Sequence, residues 1–325
     1  MSGDVETYFV RTLVRTPPAK RDEMSLATLH PHPRDELVVF DEGEHAYYVI
    51  HAKSNTFLRA PVSVSGLYHR FFGEFDANGM SLSVAKKRKG DKTSPYYWLL
   101  QTVESGTDED GARAIRDAWN RSGMRAASFG TQTHLDLELH LNRGGERSLS
   151  AHSAQTRAGM DWIENKALRE YGWKPYRTEW SIFIDMRAAA SSDDTEADGD
   201  LVECHAHLLC GQLDALFVHP ETLEYHLCDW KICQSDKLER TSGTFGGRLP
   251  TGKKPLHEVP DNSYGHYLVQ QSLYAYILKK RYGICVSTAR LVHIPSDEAT
   301  PVAREIMLTL LDDSTIQAMF SPPPP

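Results

Sequence analysis

No stretch of this sequence approaches the about 20 consecutive apolar residues that a membrane-spanning helix needs, so no such helix is expected. The opening residues MSGDVETYF lack the apolar centre of a secretory leader. Asp4 and Glu6 do not suit an arginine-rich, acid-poor transit peptide either. A soluble, intracellular protein is the expectation. Cysteine is scarce and never occurs as CxxC; the five present, an odd number, read as free thiols rather than a disulfide frame. Positive charge is not in excess. A net charge of −8 argues against a polyanion partner spread over the whole surface and leaves that role to local clusters.

What is present is ordinary in bulk. Hydrophobic residues at 40% and charged ones at 25% suit a globular chain, and 325 residues suffice for one large or two medium domains. Residues 1–35 are polar and punctuated by proline, like an arm. Residues 35–59 alternate and predict a β-hairpin turning near Ser54 and Asn55. SVSGLYHRFFGEF predicts a short helix started by serine, and residues 78–95 a mobile basic loop. DEDGARAIRDAWNRSG predicts a helix with acids in its first turn and its end at Gly123. AQTRAGMDWIENKALREYGWKP predicts another, with Met160, Ile163, Ala167 and Tyr171 at helical spacing, Gly172 as cap and Pro175 as stop. Strands are expected at YRTEWSIFIDM, LVECHAHLLCGQLDALFVH and YHLCDWKIC, then a helix at YLVQQSLYAYILKKRYG and a strand at VSTARLVHI. Residues 187–200, acidic and small, read as a flexible excursion, and SPPPP as a disordered end. The fold class expected is α/β, a mixed central sheet flanked by helices, with an α+β extension in front. The expected divisions are an accessory region over 1–125, a core over 126–310 and a tail over 311–325.

The stretch CDWKIC, residues 228–233, carries the chemistry. In a strand, residues two apart share a face, so Asp229 and Lys231 project side by side. The commonplace outcome is a weak ion pair on a wet edge strand. Asp214 ends GQLD on the preceding strand, and antiparallel pairing brings it near Asp229. Two close carboxylates repel unless a proton or a cation stands between them. Oxygen ligands of this kind suit Mg²⁺ or Mn²⁺. A neighbouring lysine can then orient a water or offset charge on a phosphate. Cys204, Cys210, Cys228 and Cys233, with His205 and His207 in CHAHLLC, open a zinc reading. Their spacings fall within strand-like segments, where buried inert thiols are the usual outcome.

GQLDALFVHPETLEYHLCDWKIC resembles the core of the PD-(D/E)XK nuclease superfamily, with Asp214 as its first aspartate and Asp229, Trp230 and Lys231 as its D-x-K. Upstream, GTQTH (residues 130–134) is similar to the G-x-x-x-H helix start of the RecB-like exonuclease branch. Downstream, QQSLY (residues 270–274) is similar to that branch's Q-x-x-x-Y helix. VSVSGLYHRFF resembles, more loosely, a segment ahead of such cores in nucleases of large DNA viruses. The resemblance implies a Mg²⁺- or Mn²⁺-dependent deoxyribonuclease, an exonuclease on DNA ends or single strands in replication, recombination or repair. It implies His134, Asp214 and Asp229 as metal ligands, the Trp230 carbonyl as a fourth, and Lys231 as the catalytic lysine. Gln270 and Tyr274 would position DNA or brace the site. Glu138, one turn after His134, and Glu179 on the first strand are further candidate carboxylates, with surface ion pairing as the alternative for Glu179. Lys86, Lys87, Arg88 and Lys89, with Lys253 and Lys254, are the candidate phosphate contacts.

Three points qualify the resemblance. HLDLELHLN alternates like a strand, with His134, Asp136, Glu138 and His140 on one face, whereas the resemblance implies a helix there; a helix capped by Thr131 is the expectation. No iron–sulfur cluster is expected, because the branch's one cysteine before and three after its motifs have only Cys285 to correspond to them. GRLPTGKK (residues 247–254) mimics a Walker A loop, but Lys254 stands where a Ser or Thr would hold Mg²⁺, and no apolar strand leads into it. The rival functions are a catalytically inactive DNA-binding module on the same fold and a zinc-stabilised interaction domain. The cytoplasm, the nucleus and a viral replication site are equally compatible compartments.

Overall fold

The apolar runs of the sequence assemble into one mixed sheet with helices on both faces. A computed structural model describes residues 25–51, 56–104, 106–142, 152–187, 207–239, 241 and 249–321. A short helix α1 (Leu26–Leu29) and a 3-10 turn (Pro33–Leu37) precede β1 (Val38–Asp41), β2 (Ala46–His51), β3 (Thr56–Arg59) and β4 (Val62–Ser63). Four helices follow: α2 (Val64–His69), α3 (Ala77–Arg88), α4 (Tyr97–Gln101) and α5 (Asp108–Asn142). Helix α6 (Ala154–Trp162) continues as a π-helix over Ile163–Glu170 and leads to β5 (Lys174–Asp185), β6 (Leu208–Val218) and β7 (Tyr225–Cys233). Then come α7 (Ser263–Arg281), β8 (Val286–Pro295), β9 (Arg304–Leu308) and α8 (Asp313–Phe320).

Strand β6 is the hub. On one side β5 runs antiparallel along it from Leu208 to Val218. On the other side two strands share it: β4 pairs in parallel at Leu209 and Cys210, and β7 pairs antiparallel from Ala215 to Val218. Beyond Cys228, β7 leaves β6 and continues beside β8, in parallel, with β9 at the far edge. A parallel pair needs a crossover, and α7 lies within it. Asp214 and Asp229 stand where β6 and β7 part.

Helices α2, α7 and α8 cover one face, where Leu67, Leu273 and Ile316 join the core that includes Ile182, Leu209 and Leu291. Helices α5 and α6 cover the other through Leu137 and Trp162, with Phe217, Trp230 and Val292. Each such buried side chain contributes roughly 1.5–3 kcal/mol. Gly211 lets the first layer close. A Cβ there would sit 2.6 Å from the Tyr274 ring and 2.9 Å from Val64, so any larger residue would lift α7 and α2 off β6.

Several expectations are revised. A helix, α3, replaces most of the loop expected over residues 78–95: Asp76 caps it through the Gly79 N–H at 2.8 Å, and Ser81 and Ala85 are buried, with Ser81 accepting from Arg116 of α5 at 2.9 Å. The run Lys86, Lys87, Arg88 is its last turn, where cations face the exposed carbonyls. Helix α5 does not end at Gly123 but runs to Asn142, because Leu137 and Leu141 bury themselves in the core beyond it. Thr131, expected as a cap, sits within that helix and donates to the Ala127 carbonyl. The division placed at residue 125 falls inside α5. Pro175 is the second residue of β5; the preceding helix ends through Gly172, at φ +69°. Residues 35–59 form a three-stranded sheet rather than one hairpin, and the turn expected at Ser54 and Asn55 lies outside the described residues. The tail expected from residue 311 contains α8, which buries Ile316 and Met319. Residues 188–200 and 322–325 lie outside the described residues.

The end of the expected N-terminal arm is tied down. Asp35 accepts two bonds from Arg177, at 2.8 and 3.2 Å, and one from the Trp180 indole at 2.8 Å. Arg34 donates to the Phe183 carbonyl at 3.2 Å and covers the Phe183 ring. Removing one member of a buried, bidentate pair strands the other charge. Arg177→Met is therefore expected to lose about 3–5 kcal/mol in urea unfolding, well above the roughly 0–1 kcal/mol of a surface pair.

Candidate metal centre

Three ligand-bearing side chains from three elements converge at the fork. Helix α5 supplies His134, β5 Glu179 and β6 Asp214, and one ligand atom of each lies within 4.8 Å of the others. His134 Nδ1 is 3.4 Å from Asp214 Oδ2 and 3.8 Å from Glu179 Oε1. Its Nε2 lies 3.0 Å from the Trp230 carbonyl oxygen. A carbonyl can only accept, so Nε2 carries a proton and Nδ1 faces the carboxylates. Asp214 Oδ2 accepts from the Trp230 N–H at 2.8 Å. The Trp230 backbone thus holds both His134 and Asp214, while its indole is buried beside Trp162. The Trp230 carbonyl, expected as a ligand, faces His134 Nε2 and orients the imidazole.

Glu179 reaches the group by leaving strand geometry. The flanking pairs Thr178↔Ala215 and Trp180↔Leu213 set it opposite Asp214, and its φ is +42°. Non-glycine residues enter that left-handed region at a cost of roughly 1–2 kcal/mol. Gln212 Nε2 donates to the Glu179 carbonyl at 3.0 Å and holds the turned peptide. Face alternation breaks at the same level: Leu213 and Leu216, three apart, share one core while Ala215 lies in the other. Strain of this kind gathers where the surroundings over-determine a backbone, as functional sites do.

Asp229 and Lys231 form the second half of the site. Asp229 is only 1% exposed; its Oδ2 lies 2.5 Å from Lys231 Nζ, and its Oδ1 accepts from Gln271 Nε2 at 2.9 Å. Lys231 Nζ also sits 4.3 Å from the centre of the Tyr267 ring, a cation–π contact. Asp229 therefore shares the fork with Asp214, but both its oxygens are engaged by Lys231 and α7.

The charges explain one another. Burial pushes the Asp214 and Asp229 carboxyls above the usual range, and the nearby carboxylates Glu179 and Asp214 respectively push further. Burial works against a charged His134, but Asp214 and Glu179 overcome it and raise the imidazole to about 9. Burial likewise works against the Lys231 ammonium, and Asp229 and Asp214 more than restore it. Glu138, one turn beyond His134, is lifted to about 7 by burial, Glu179 and Glu42. Negative charge is in excess here, and the proton on His134 holds it together. A divalent cation can do the same work: one imidazole nitrogen and carboxylate oxygens on separate elements fit Mg²⁺ or Mn²⁺, bound with release of that proton.

The remaining expected residues divide. Gln270 Nε2 donates to the Tyr274 hydroxyl at 3.2 Å, and Tyr274 is buried, so this pair braces α7. Gln271 and Tyr267, which hold Asp229 and Lys231, belong to none of the motifs, yet Tyr267, Gln271 and Tyr274 recur at i, i+4 and i+7, a stripe that helical spacing makes legible. Gln212 and the backbone turn at Glu179 leave no sequence signal. The run from Lys86 to Lys89 lies far off: neighbouring Ala85 packs on Gly111, about 35 Å before His134 along the helix axis. Lys253 and Lys254 are exposed in a loop laid on the turn after α2, with the Lys253 N–H bonded to the Phe71 carbonyl at 2.6 Å. Cys210 and Cys228 are buried in different cores, and burial pushes both thiols up. Cys204 and His205 lie outside the described residues.

Two measurements probe this geometry without any metal. Glu179→Gly and Glu179→Gln both delete the carboxylate, but only glycine relieves the left-handed backbone, so the glycine variant is expected to be more stable than the glutamine variant by roughly 1 kcal/mol. Equal melting would remove the strain argument. Because the folded-state pKa of His134 is raised, its stabilisation is complete below the ordinary value near 6.5 and is lost as pH climbs through about 9. The stability advantage of the wild type over His134→Gln, measured in EDTA, should accordingly shrink between pH 7 and 9.5.

Compared with models of known families, the sequence finds no match, and no curated protein matches it either.

Proposed function

We propose that this protein is a metal-dependent nuclease that hydrolyses phosphodiester bonds of DNA, acting on ends or single strands. The observation that carries the reading is the convergence of His134, Glu179 and Asp214 beside the buried Asp229–Lys231 pair. The order of motifs shared with PD-(D/E)XK nucleases supports the same conclusion. Mg²⁺ or Mn²⁺, held by His134 Nδ1, Glu179 and Asp214, would supply Lewis acidity toward a phosphate oxygen and lower the pKa of a water. The chain does the rest. Lys231, kept charged by Asp229 and steadied by Tyr267, offsets the charge that builds on the phosphate in the transition state. Glu138, with a pKa near 7, can accept or return a proton at neutral pH. A purely structural role explains the site less well, because packed apolar residues would serve stability better than buried, mutually repelling carboxylates.

Cleavage of end-labelled DNA should require Mg²⁺ or Mn²⁺ and stop in EDTA. Ca²⁺, with its longer and looser coordination, should permit binding without hydrolysis. Robust cleavage in EDTA would sink the metal mechanism.

Lys231→Met is expected to stay folded and bind DNA while losing on the order of 10²–10³ in single-turnover rate. Asp229→Asn should also slow turnover by releasing Lys231, yet leave Mn²⁺ affinity less affected than Glu179→Gln does. Near-normal cleavage by folded Lys231→Met would rule out its catalytic role.

A further inference from the structure

Residues 120–129 of α5, NRSGMRAASF, are exposed on every face save none, ten in succession. The helix is anchored at one end by Gly111, Ala112 and Ile115 and at the other by Thr133, Leu137, His140 and Leu141; across residues 120–129 every side of it is exposed among the described residues. A bare helix of this length is marginal in water, and Gly123 costs about 1 kcal/mol relative to alanine. The span contains no carboxylate. Among the described residues, Arg121 and Arg125 make no ion pair, in contrast to Arg113, which pairs with Asp110 at 3.0 Å. Met124, at 73% exposed, lies on the same side as these arginines, with Phe129 beside them. Phe75, at 69% exposed, lies tilted against Trp119, just before the span, with ring centres 5.8 Å apart.

We infer that this bare span is a binding surface for single-stranded nucleic acid, which delivers a strand to the centre at His134. Unpaired arginines suit phosphates, and exposed flat or polarisable apolar groups suit unstacked bases; the two together are the recognition chemistry of a single strand. An acidic protein segment would use the arginines but has no need of the exposed Phe75. On the side of α5 in line with His134, opposite Arg121 and Arg125, the span carries Asn120, Gly123, Ala127 and Gly130, and a Cβ at either glycine would meet open space. A strand held by Arg121 and Arg125 therefore has to pass round the helix to reach His134, and the small residues Gly123, Ala127 and Gly130 leave room for it on that side. His134 follows Phe129 by about 7–8 Å along the axis. This inference rests on the nuclease reading for the fate of the strand, but not for its binding.

The test uses the full chain in EDTA, so that cleavage plays no part, with a fluorescent 30-nucleotide oligo(dT) followed by anisotropy over a salt series. Arg121→Gln with Arg125→Gln should weaken binding about tenfold and lower the salt slope by about 1.4, from about 0.7 per lost phosphate contact. Phe75→Ala with Met124→Ala should weaken binding several-fold with the slope unchanged, because stacking releases no counterions. Lys174→Gln, exposed at the start of β5, should change neither. Melting curves check that each variant is folded. Unchanged affinity and slope in the double arginine variant, or no wild-type binding to the oligonucleotide, overturns the inference. So does flotation with phosphatidylserine vesicles that depends on Arg121 and Arg125 while oligonucleotide binding does not. If binding behaves as stated but Mg²⁺ elicits no cleavage, the nuclease reading fails and the surface stands.

Discussion

Asp214, Asp229 and Glu179 bring three carboxylates to one place in the middle of the sheet, and the surrounding structure answers to that repulsion. Buried charge is costly unless it is paired and hydrogen-bonded. Two cations balance it, an imidazolium at His134 and an ammonium at Lys231, and neither comes from a surface loop. His134 needs α5 to be helical and seated on the sheet; Lys231 needs α7 to bring Tyr267 and Gln271 against β7. The site is therefore made by the core, and its geometry is as firm as the packing around it.

The fork between β6 and β7 gives this arrangement its place. When two strands separate, their facing backbone groups lose ladder partners and need others. The Trp230 N–H finds Asp214, and the Trp230 carbonyl finds His134. The bonds that satisfy the broken ladder are the same bonds that orient two of the three candidate ligands. Glu179 completes the group from the opposite strand by accepting backbone strain, with Gln212 securing the turned peptide. Strand separation, ligand orientation and local strain are one device seen from three residues.

Much of this was readable in the residues. Alternation in CDWKIC places Asp229 and Lys231 on one face, and the short connection to GQLD brings Asp214 across from Asp229; the structure has both features. The division of labour among the carboxylates was not readable. Asp229 was expected to act as a ligand with Asp214, whereas its oxygens are taken by Lys231 and Gln271, and Glu179 stands in the group instead. The reason is physical: the direction of Glu179 depends on a φ that no local pattern encodes, set by cross-strand contacts. Helix α3 escaped for a different reason. Its buried face consists of small residues, Ser81 and Ala85, and helical periodicity is read from large apolar ones.

The stretch HLDLELHLN shows how tertiary structure chooses between two local patterns. As a strand, Leu135, Leu137, Leu139 and Leu141 would share one apolar face. In the structure Leu137 and Leu141 are buried, one turn apart, while Leu135 and Leu139 remain exposed. The helix leaves these two leucines partly exposed, at 44% and 36%, a cost of roughly 1–2 kcal/mol by burial arithmetic. What it gains is the register of His134 and Glu138 one turn apart above the fork, together with the Leu137 contact on Gly159 of α6. A strand would send His134 and Leu137 to opposite faces, and the histidine could not meet Asp214 while the leucine packed. Even where a short apolar pattern points to a sheet, an element that must bridge a charged centre and an apolar layer three residues apart has to be a helix.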